Sequence, residues 1–326
     1  MRKFSRILAV LDGTEADAMI LGKAVAFARH QGAALELFLC DAERAYSLRH
    51  AYDTTGISEF RRGCIRRAQQ YLERLRDTAG GVDLRISVDA ACESPLYEGI
   101  VHKVMKSGAD LVIKNAGGTH SLRRFEWDAN DWQLIRACPA TLLLSRGRSW
   151  HACPTLAAAV DVSEHETPEL MQAIMQTSKR LTEDCHGELD VVYSEPQNVD
   201  PGKHESHVAV LHELTRVAGL QGSRVHILSG TPEQALPAFA SDRNYDAFIM
   251  GALTHRKGLS ALVGTLTAKL IEALDSDFVL VKPSGYRTQV ELSTAPWPSE
   301  SEDERVLEPR QATAAGFVSP WQLPMR

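Results

Sequence analysis

Six cysteines (Cys40, Cys64, Cys92, Cys138, Cys153, Cys185) are spread over 326 residues, and no two stand as a CxxC pair. A zinc knuckle or a thioredoxin-like motif is thereby excluded. Cys185 and His186 are adjacent, but one such pair without companions is not a metal site; scattered reduced thiols fit a cytoplasmic protein. Long apolar runs are missing as well. The opening, MRKFSRILAVLDG, breaks at Asp12 after a few apolar residues, too few for a signal-peptide core or a membrane span. Positive charge is not in excess: 36 Lys and Arg stand against 42 Asp and Glu, for a formal net charge of -6. That balance gives no reason to expect direct nucleic-acid binding, which wants clustered Lys and Arg. Three signatures of chemistry are also lacking: GxGxxG after the first strand, GxxxxGK[ST] and GxSxG. Their absence argues against a dinucleotide oxidoreductase, a P-loop ATPase and a nucleophile-elbow hydrolase.

What the chain does have is a repeat. Residues 5–15 read SRILAVLDGTE and residues 154–164 read PTLAAAVDVSE. Each is a short apolar run that ends in Asp and then turns, as expected of a strand buried on both faces of a parallel sheet. Helical spacing follows in both copies, at Ile20, Ala24, Phe27 and Ala28, and at Leu170, Ala173, Ile174, Thr177 and Leu181. Thr167 and Pro168 form an N-cap and first-turn pair for the second of these helices, and Gly32 can end the first. Strand-like runs at 34–39, 83–88, 110–114 and 140–145 are matched by runs at 188–194, 224–230, 246–251 and 277–283. The alternation predicts two α/β units with parallel sheets, at 1–148 and 149–290, joined near 146–154. The Pro-, Ser- and acid-rich stretch 291–326 is expected to be a disordered tail.

Late in the chain stands GALTHRKGLSALVGT, residues 251–265. Gly251 closes a strand, and Gly264-Thr265 opens an amphipathic helix. Helix starts carry free N–H groups and partial positive charge, so this is a place where an anion can sit. A bland alternative is that the segment only turns a strand into a helix. Asp12 and Asp161, at the ends of the two repeated strands, can support magnesium or a ribose, or can cap the following turn. Lys114 is either a functional amine or an ion-paired one. His226, inside a strand, reads as a satisfied core histidine.

Together these features resemble the universal stress protein family in its tandem, two-domain E-type arrangement. DLVIK, NDWQLIRACP and VKPSGYRTQVEL carry the finer likeness, and the resemblance spans about residues 3–292. It implies two Rossmann-like domains, each with an open, mostly parallel five-stranded sheet flanked by helices. The nucleotide loop of that family runs Gly, two residues, Gly, nine residues, Gly, then Ser or Thr. Here Gly251, Thr254, Gly264 and Thr265 take those four places, so Thr254 replaces a glycine. The resemblance also implies Asp161 at the ribose side and Val192 beside the adenine, with ATP, accompanied by Mg, as the expected ligand. In the first copy the four places hold Asn115, Gly118, Asp128 and Ala129, and a carboxylate beside a phosphate is repelled. That half is therefore expected not to bind ATP through this loop.

No convincing general base lies near a γ-phosphate position, so no catalytic residue is assigned and any ATP turnover should be slow. The expectation is a cytoplasmic stress-response binding module whose two domains pair within one chain, with further association into a homodimer left open. The alternative is a nucleotide-independent pair that binds another metabolite or an acyl ligand, or that acts as a protein scaffold.

Overall fold

The computed structural model describes residues 3–49, 56–79, 84–116, 128–163, 166–241, 243–254, 262–263 and 265–291. The first half runs β1 (Arg6–Leu11), α1 (Asp17–Gln31), β2 (Ala34–Cys40), α2 (Ala42–Arg49), α3 (Ile57–Ala79), β3 (Ile86–Ala91), α4 (Leu96–Ser107), β4 (Leu111–Asn115), α5 (Ala129–Ala137) and β5 (Thr141–Ser145). The second half runs β6 (Thr155–Ala159), α6 (Pro168–Cys185), β7 (Glu188–Glu195), α7 (Pro201–Ala218), β8 (Arg224–Ser229), α8 (Pro232–Ser241) and β9 (Ala247–Gly251). A small hairpin, β10 (Leu253–Thr254) with β11 (Leu262–Val263), then leads to α9 (Thr265–Ala273) and β12 (Asp277–Val281).

Local chemistry sets the helix ends. Thr167 caps α6 by accepting from the Leu170 amide at 3.4 Å, with Pro168 in the first turn. Asp200 and Pro201 repeat the device on α7, where Asp200 accepts from the Gly202 amide at 2.9 Å. His186 ends α6 in the left-handed region at φ 50, so the neighbour of Cys185 serves as a helix cap. Among the described residues no group of three or more His, Cys, Asp or Glu is placed to hold a metal ion, and no described helix is long and apolar enough to cross a membrane.

The five expected strands are present in each half, and the structure joins the two sets edge to edge into one sheet of ten, ordered β3-β2-β1-β4-β5-β12-β9-β6-β7-β8. Each half has the same internal order and all of its pairs are parallel. Only the seam is antiparallel, with Leu144 opposite Phe278, Leu143 opposite Val279 and Leu142 opposite Leu280. Strand residues alternate between two buried faces. Ile7, Ala9 and Leu11 join a core with Ile20, Ala24 and Phe27 of α1, and that core continues through Leu170, Ile174 and Leu181 of α6. Burial on both faces is why these strands read as unbroken apolar runs rather than alternating ones.

A buried polar cluster locks the seam. Asp277, 1% exposed, opens β12. Its carboxylate takes the Lys23 ammonium from α1, the Trp150 indole N–H at 2.7 Å and the Arg146 amide at 2.8 Å. Lys23 also donates to the Ser145 hydroxyl at 2.7 Å. Burial pushes the Lys23 ammonium below its ordinary range, and the Asp277 charge opposes that shift. The strap after β12 adds to the join. The repeat pattern ends near Ser284, yet the Tyr286 hydroxyl donates to the Arg136 carbonyl at 2.6 Å, and the Glu291 carbonyl lies 2.9 Å from His102 Nε2. The residues from 292 onward, expected to be a disordered tail, lie outside the described residues.

Removing one partner of a buried ion pair leaves the other charge uncompensated, which typically costs about 3–5 kcal/mol. Asp277→Ala is therefore expected to destabilise the protein by about that amount, read as a drop in the urea midpoint. The double change Lys23→Met with Asp277→Leu should recover part of it. A single variant as stable as the parent would mean that the pair does not hold the seam.

Candidate functional site

Strand order places one crevice in each half. In the second half β6 lies between β7 and β9, so the chain winds outward in both directions from β6, and ligands in such sheets bind beyond the carboxyl ends at this reversal. Asp161 follows β6, and Gly251 ends the neighbouring β9. Asp161 is exposed, and its Oδ1 accepts from the Ser163 amide at 2.8 Å. Asp12 does the same in the first half, accepting from the Thr14 amide at 3.0 Å and the Thr14 hydroxyl at 2.5 Å. Both aspartates thus cap the turn after their strand.

Of the loop's elements, the structure brings two ends together, that of β9 and the start of α9. The Thr267 hydroxyl in the first turn of α9 donates to the Gly251 carbonyl at 3.3 Å, so the start of that helix sits against the end of β9. Thr265 is the first residue of α9. A Cβ at Gly251 would stand 2.8 Å from Leu170 Cδ2 on α6, so that leucine would have to shift to admit any larger residue. Thr254 is extended, paired with Leu262 across the β10–β11 hairpin. Among the described residues His186 is the one non-glycine with positive φ, so the Thr254 backbone makes no demand that only glycine could meet. Gly264 lies outside the described residues, as do residues 255–261.

Val192 lies in the second strand of its half. It sits inside β7, three residues short of the end, with 0% exposure, and its carbonyl accepts from the Val160 amide at 3.0 Å. The residue at that strand end is Glu195, which the sequence reading passed over. Glu195 is 6% exposed, and its two oxygens meet His204 Nδ1 at 2.6 Å and His207 Nδ1 at 3.0 Å. Burial alone would raise its pKa; the two histidines outweigh that and hold the carboxyl below its usual range. Tyr193, stacked edge-on against His207 at 5.1 Å, is pushed up to about 12 by burial and by the Asp161 and Glu195 charges. The legible signal was the pair of histidines three residues apart behind Asp200-Pro201, which puts both on one face of a capped helix.

The first-half crevice has a different electrostatic character. Asp128 is the N-cap of α5 and accepts from the Asp131 amide at 2.7 Å, so a side chain already occupies the donor that an anion would use. Lys114 is buried and paired with Asp131 at 2.8 Å, which bears out the ion-pair reading of that lysine. Asp17, 2% exposed, accepts from the amides of Asp12 and Gly13 at 3.0 and 2.9 Å and from the Tyr71 hydroxyl at 2.8 Å. Desolvation, assisted by the nearby Asp12, outweighs those bonds and raises its pKa to about 6. In the opposite half His226 is not the satisfied histidine expected: its buried Nε2 makes no hydrogen bond and stands 3.6 Å from Asp190, while the ring packs on Phe239.

Two α/β halves of identical strand order, each with an Asp-capped turn at its strand reversal, define a tandem Rossmann-like arrangement. Residues 3–146 match the model of the universal stress protein family, so the chain carries a universal stress protein domain and is like universal stress protein E along most of its length. It is 22% identical to universal stress protein E of Escherichia coli K12 over 311 residues, covering 90% of this chain and 98% of that one. The Photorhabdus laumondii protein of the same name is 23% identical, with 90% and 99% covered. Among solved structures, a putative universal stress protein from Pseudomonas aeruginosa superposes with TM-score 0.65 at 18% identity, covering 86% of this chain and 94% of that one. One from Archaeoglobus fulgidus gives 0.62 at 15%, covering 85% and 98%.

Two measurements follow from this geometry. Because Thr254 is extended, Thr254→Gly is expected to leave any affinity for Mg-ATP within about threefold of the parent protein; a gain of about tenfold in calorimetry would show that the position needs glycine after all. Asp17 has a folded pKa raised from 3.8 to about 6, so between those values the folded state binds more protons than the unfolded one. Its contribution to stability is therefore greatest at low pH and is lost as pH rises through about 6. Asp17→Asn should remove that component from the pH dependence of the denaturation midpoint; an unchanged profile would place the titration elsewhere.

Proposed function

We infer that the protein is a stress-response binding module that takes an adenine nucleotide, ATP with Mg, in the second-half crevice. The observation that carries this reading is the meeting of Gly251 with the first turn of α9 next to Asp161, at the strand reversal. In this arrangement the amides at the start of α9 and the Thr265 hydroxyl receive the phosphates, and Asp161 accepts from the ribose. Val192, enclosed as it is, would support the adenine pocket from beneath rather than line it. Magnesium would offset the phosphate charge near Asp161 and Glu195. The first half, with Asp128 as its helix cap, serves as the structural partner. No residue is assigned a catalytic role, and the output is the conformation or partner that occupancy selects, in the cytoplasm. The domain division at 1–148 and 149–290 and self-association into a homodimer belong to the same proposal.

A cavity of about 530 Å³ supports a second reading, in which another metabolite or an acyl ligand is the physiological one. It lies at the join of the halves, lined by Met19, Phe27, Trp150 and Pro154, with Lys23, His30, Ser149 and His151 among its polar residues. Its size and largely apolar lining suit a small ligand.

One experiment separates the two. Gently purified protein is denatured and the released small molecules are identified by mass spectrometry, followed by calorimetry of the stripped protein with Mg-ATP. Near-stoichiometric adenine nucleotide, or ATP binding weakened about tenfold or more by Asp161→Ala, supports the first reading. A different metabolite together with no ATP binding sinks it, and Trp150→Ala should then abolish retention of that metabolite.

A further inference from the structure

Helices α2 and α3 carry eight arginines, no lysine and four carboxylates. Cys64, Ala68 and Leu72 of α3 are buried and Ile65, Tyr71 and Leu75 pack partly against the core, so the opposite side of this 23-residue helix looks outward. Residues 60–67 read FRRGCIRR, and Arg61, Arg62, Arg66 and Arg67 are all exposed. Phe60 is 50% exposed beside them. Ala45 of α2 packs against Cys64 of α3, which sets the next residue, Tyr46, at the same elbow with 59% exposure. Gly63 leaves a dip among the arginines: a Cβ added there would lie 3.9 Å from Arg67 Nη1 and meet nothing nearer. Carboxylates flank the patch at Asp41, Glu43, Glu59 and Glu73, of which Asp41 is held by Arg44.

We propose that this arginine elbow, with Tyr46 and Phe60, is a binding surface for single-stranded nucleic acid. The chemistry of the patch selects that occupant. Arginine offers a planar fork of donors that matches a phosphate in two-point contact, where lysine offers a point charge. Exposed rings next to a basic track give unstacked bases a platform, and arginine stacks on bases as well. A duplex keeps its bases stacked and leaves both rings without a role. An anionic membrane is a poorer fit, since surface-bound helices insert an apolar face and that face of α3 is buried in the core. An acidic peptide would engage the arginines and not the rings. The net charge of -6 for the whole chain concealed this local excess.

Fluorescence anisotropy of the full-length protein with labelled oligo(dT) and oligo(U), over a salt series, tests the proposal. Binding should weaken steeply with salt. Arg61→Glu with Arg66→Glu should lower affinity at least about tenfold and flatten the salt slope. Phe60→Ser should lower affinity about tenfold and leave the salt slope intact, a split that a purely electrostatic contact cannot give. All three positions are exposed, and circular dichroism checks that the variants fold. No binding at low salt, duplex bound as tightly as single strands, or parental affinity in the charge-reversed variant would each overturn the assignment, as would binding to anionic vesicles or a polyglutamate peptide alone.

Discussion

The architecture depends on one buried carboxylate at the start of the last strand. Asp277 gathers a lysine from the first helix, an indole from the join between the halves and a backbone amide just after β5. A charge taken this far from water is tolerable only when its partners are fixed around it. Those partners come from α1, the join and the end of β5, so the cluster forms only when the two halves are in register along the β5–β12 seam. Ten strands then share one twisted sheet, and a single apolar core runs from α1 across to α6. The strap ending at Glu291, which returns to Arg136 and His102, works to the same end.

With that frame held, the two strand reversals are free to differ. Their geometry is alike: an aspartate after the central strand caps its own turn in both halves. What stands at the next helix start is not alike. Asp128 satisfies an α5 amide with its own carboxylate, which supplies internally the negative charge that a helix start favours. In the second half Thr267 ties α9 back to Gly251, and the helix begins with Thr265 instead of an acid. The two repeats thus differ at this helix start, a capping carboxylate before α5 and a threonine opening α9. The carboxyl end of β7 is also not neutral ground, because Glu195 and its two histidines hold charge close to where a ligand would lie.

Much of this was legible in the chain. Unbroken apolar runs announced strands buried on both faces, and the paired Asp turns announced the repeat. Thr167-Pro168 marked a helix start that the structure reproduces. The likeness of the two halves was visible at the level of order, while the details that decide binding were not. Thr254 looked like a defect because a glycine was expected there, and the hairpin pairing with Leu262 removes the need for one. Val192 was placed beside the adenine by the family resemblance; the fold adds that it is fully buried within β7, which runs on to Glu195. The length of a strand is set by its neighbours, which a single run of residues does not contain.

Sequence alone determined the strands, most helices, the order of the repeat and the chemical contrast between Asp128 and Gly264-Thr265. These are local quantities, fixed by side-chain polarity, spacing and backbone freedom along the chain. Tertiary structure decided that the halves fuse through an antiparallel seam, that Asp277 meets Lys23 across 254 residues, and that Glu195 is gripped by two histidines. It also decided that the arginines of α3 face solvent together with Tyr46 and Phe60. Such pairings depend on which surfaces are brought into contact and which are left to water, and desolvation energy is a property of the assembled fold rather than of any segment within it.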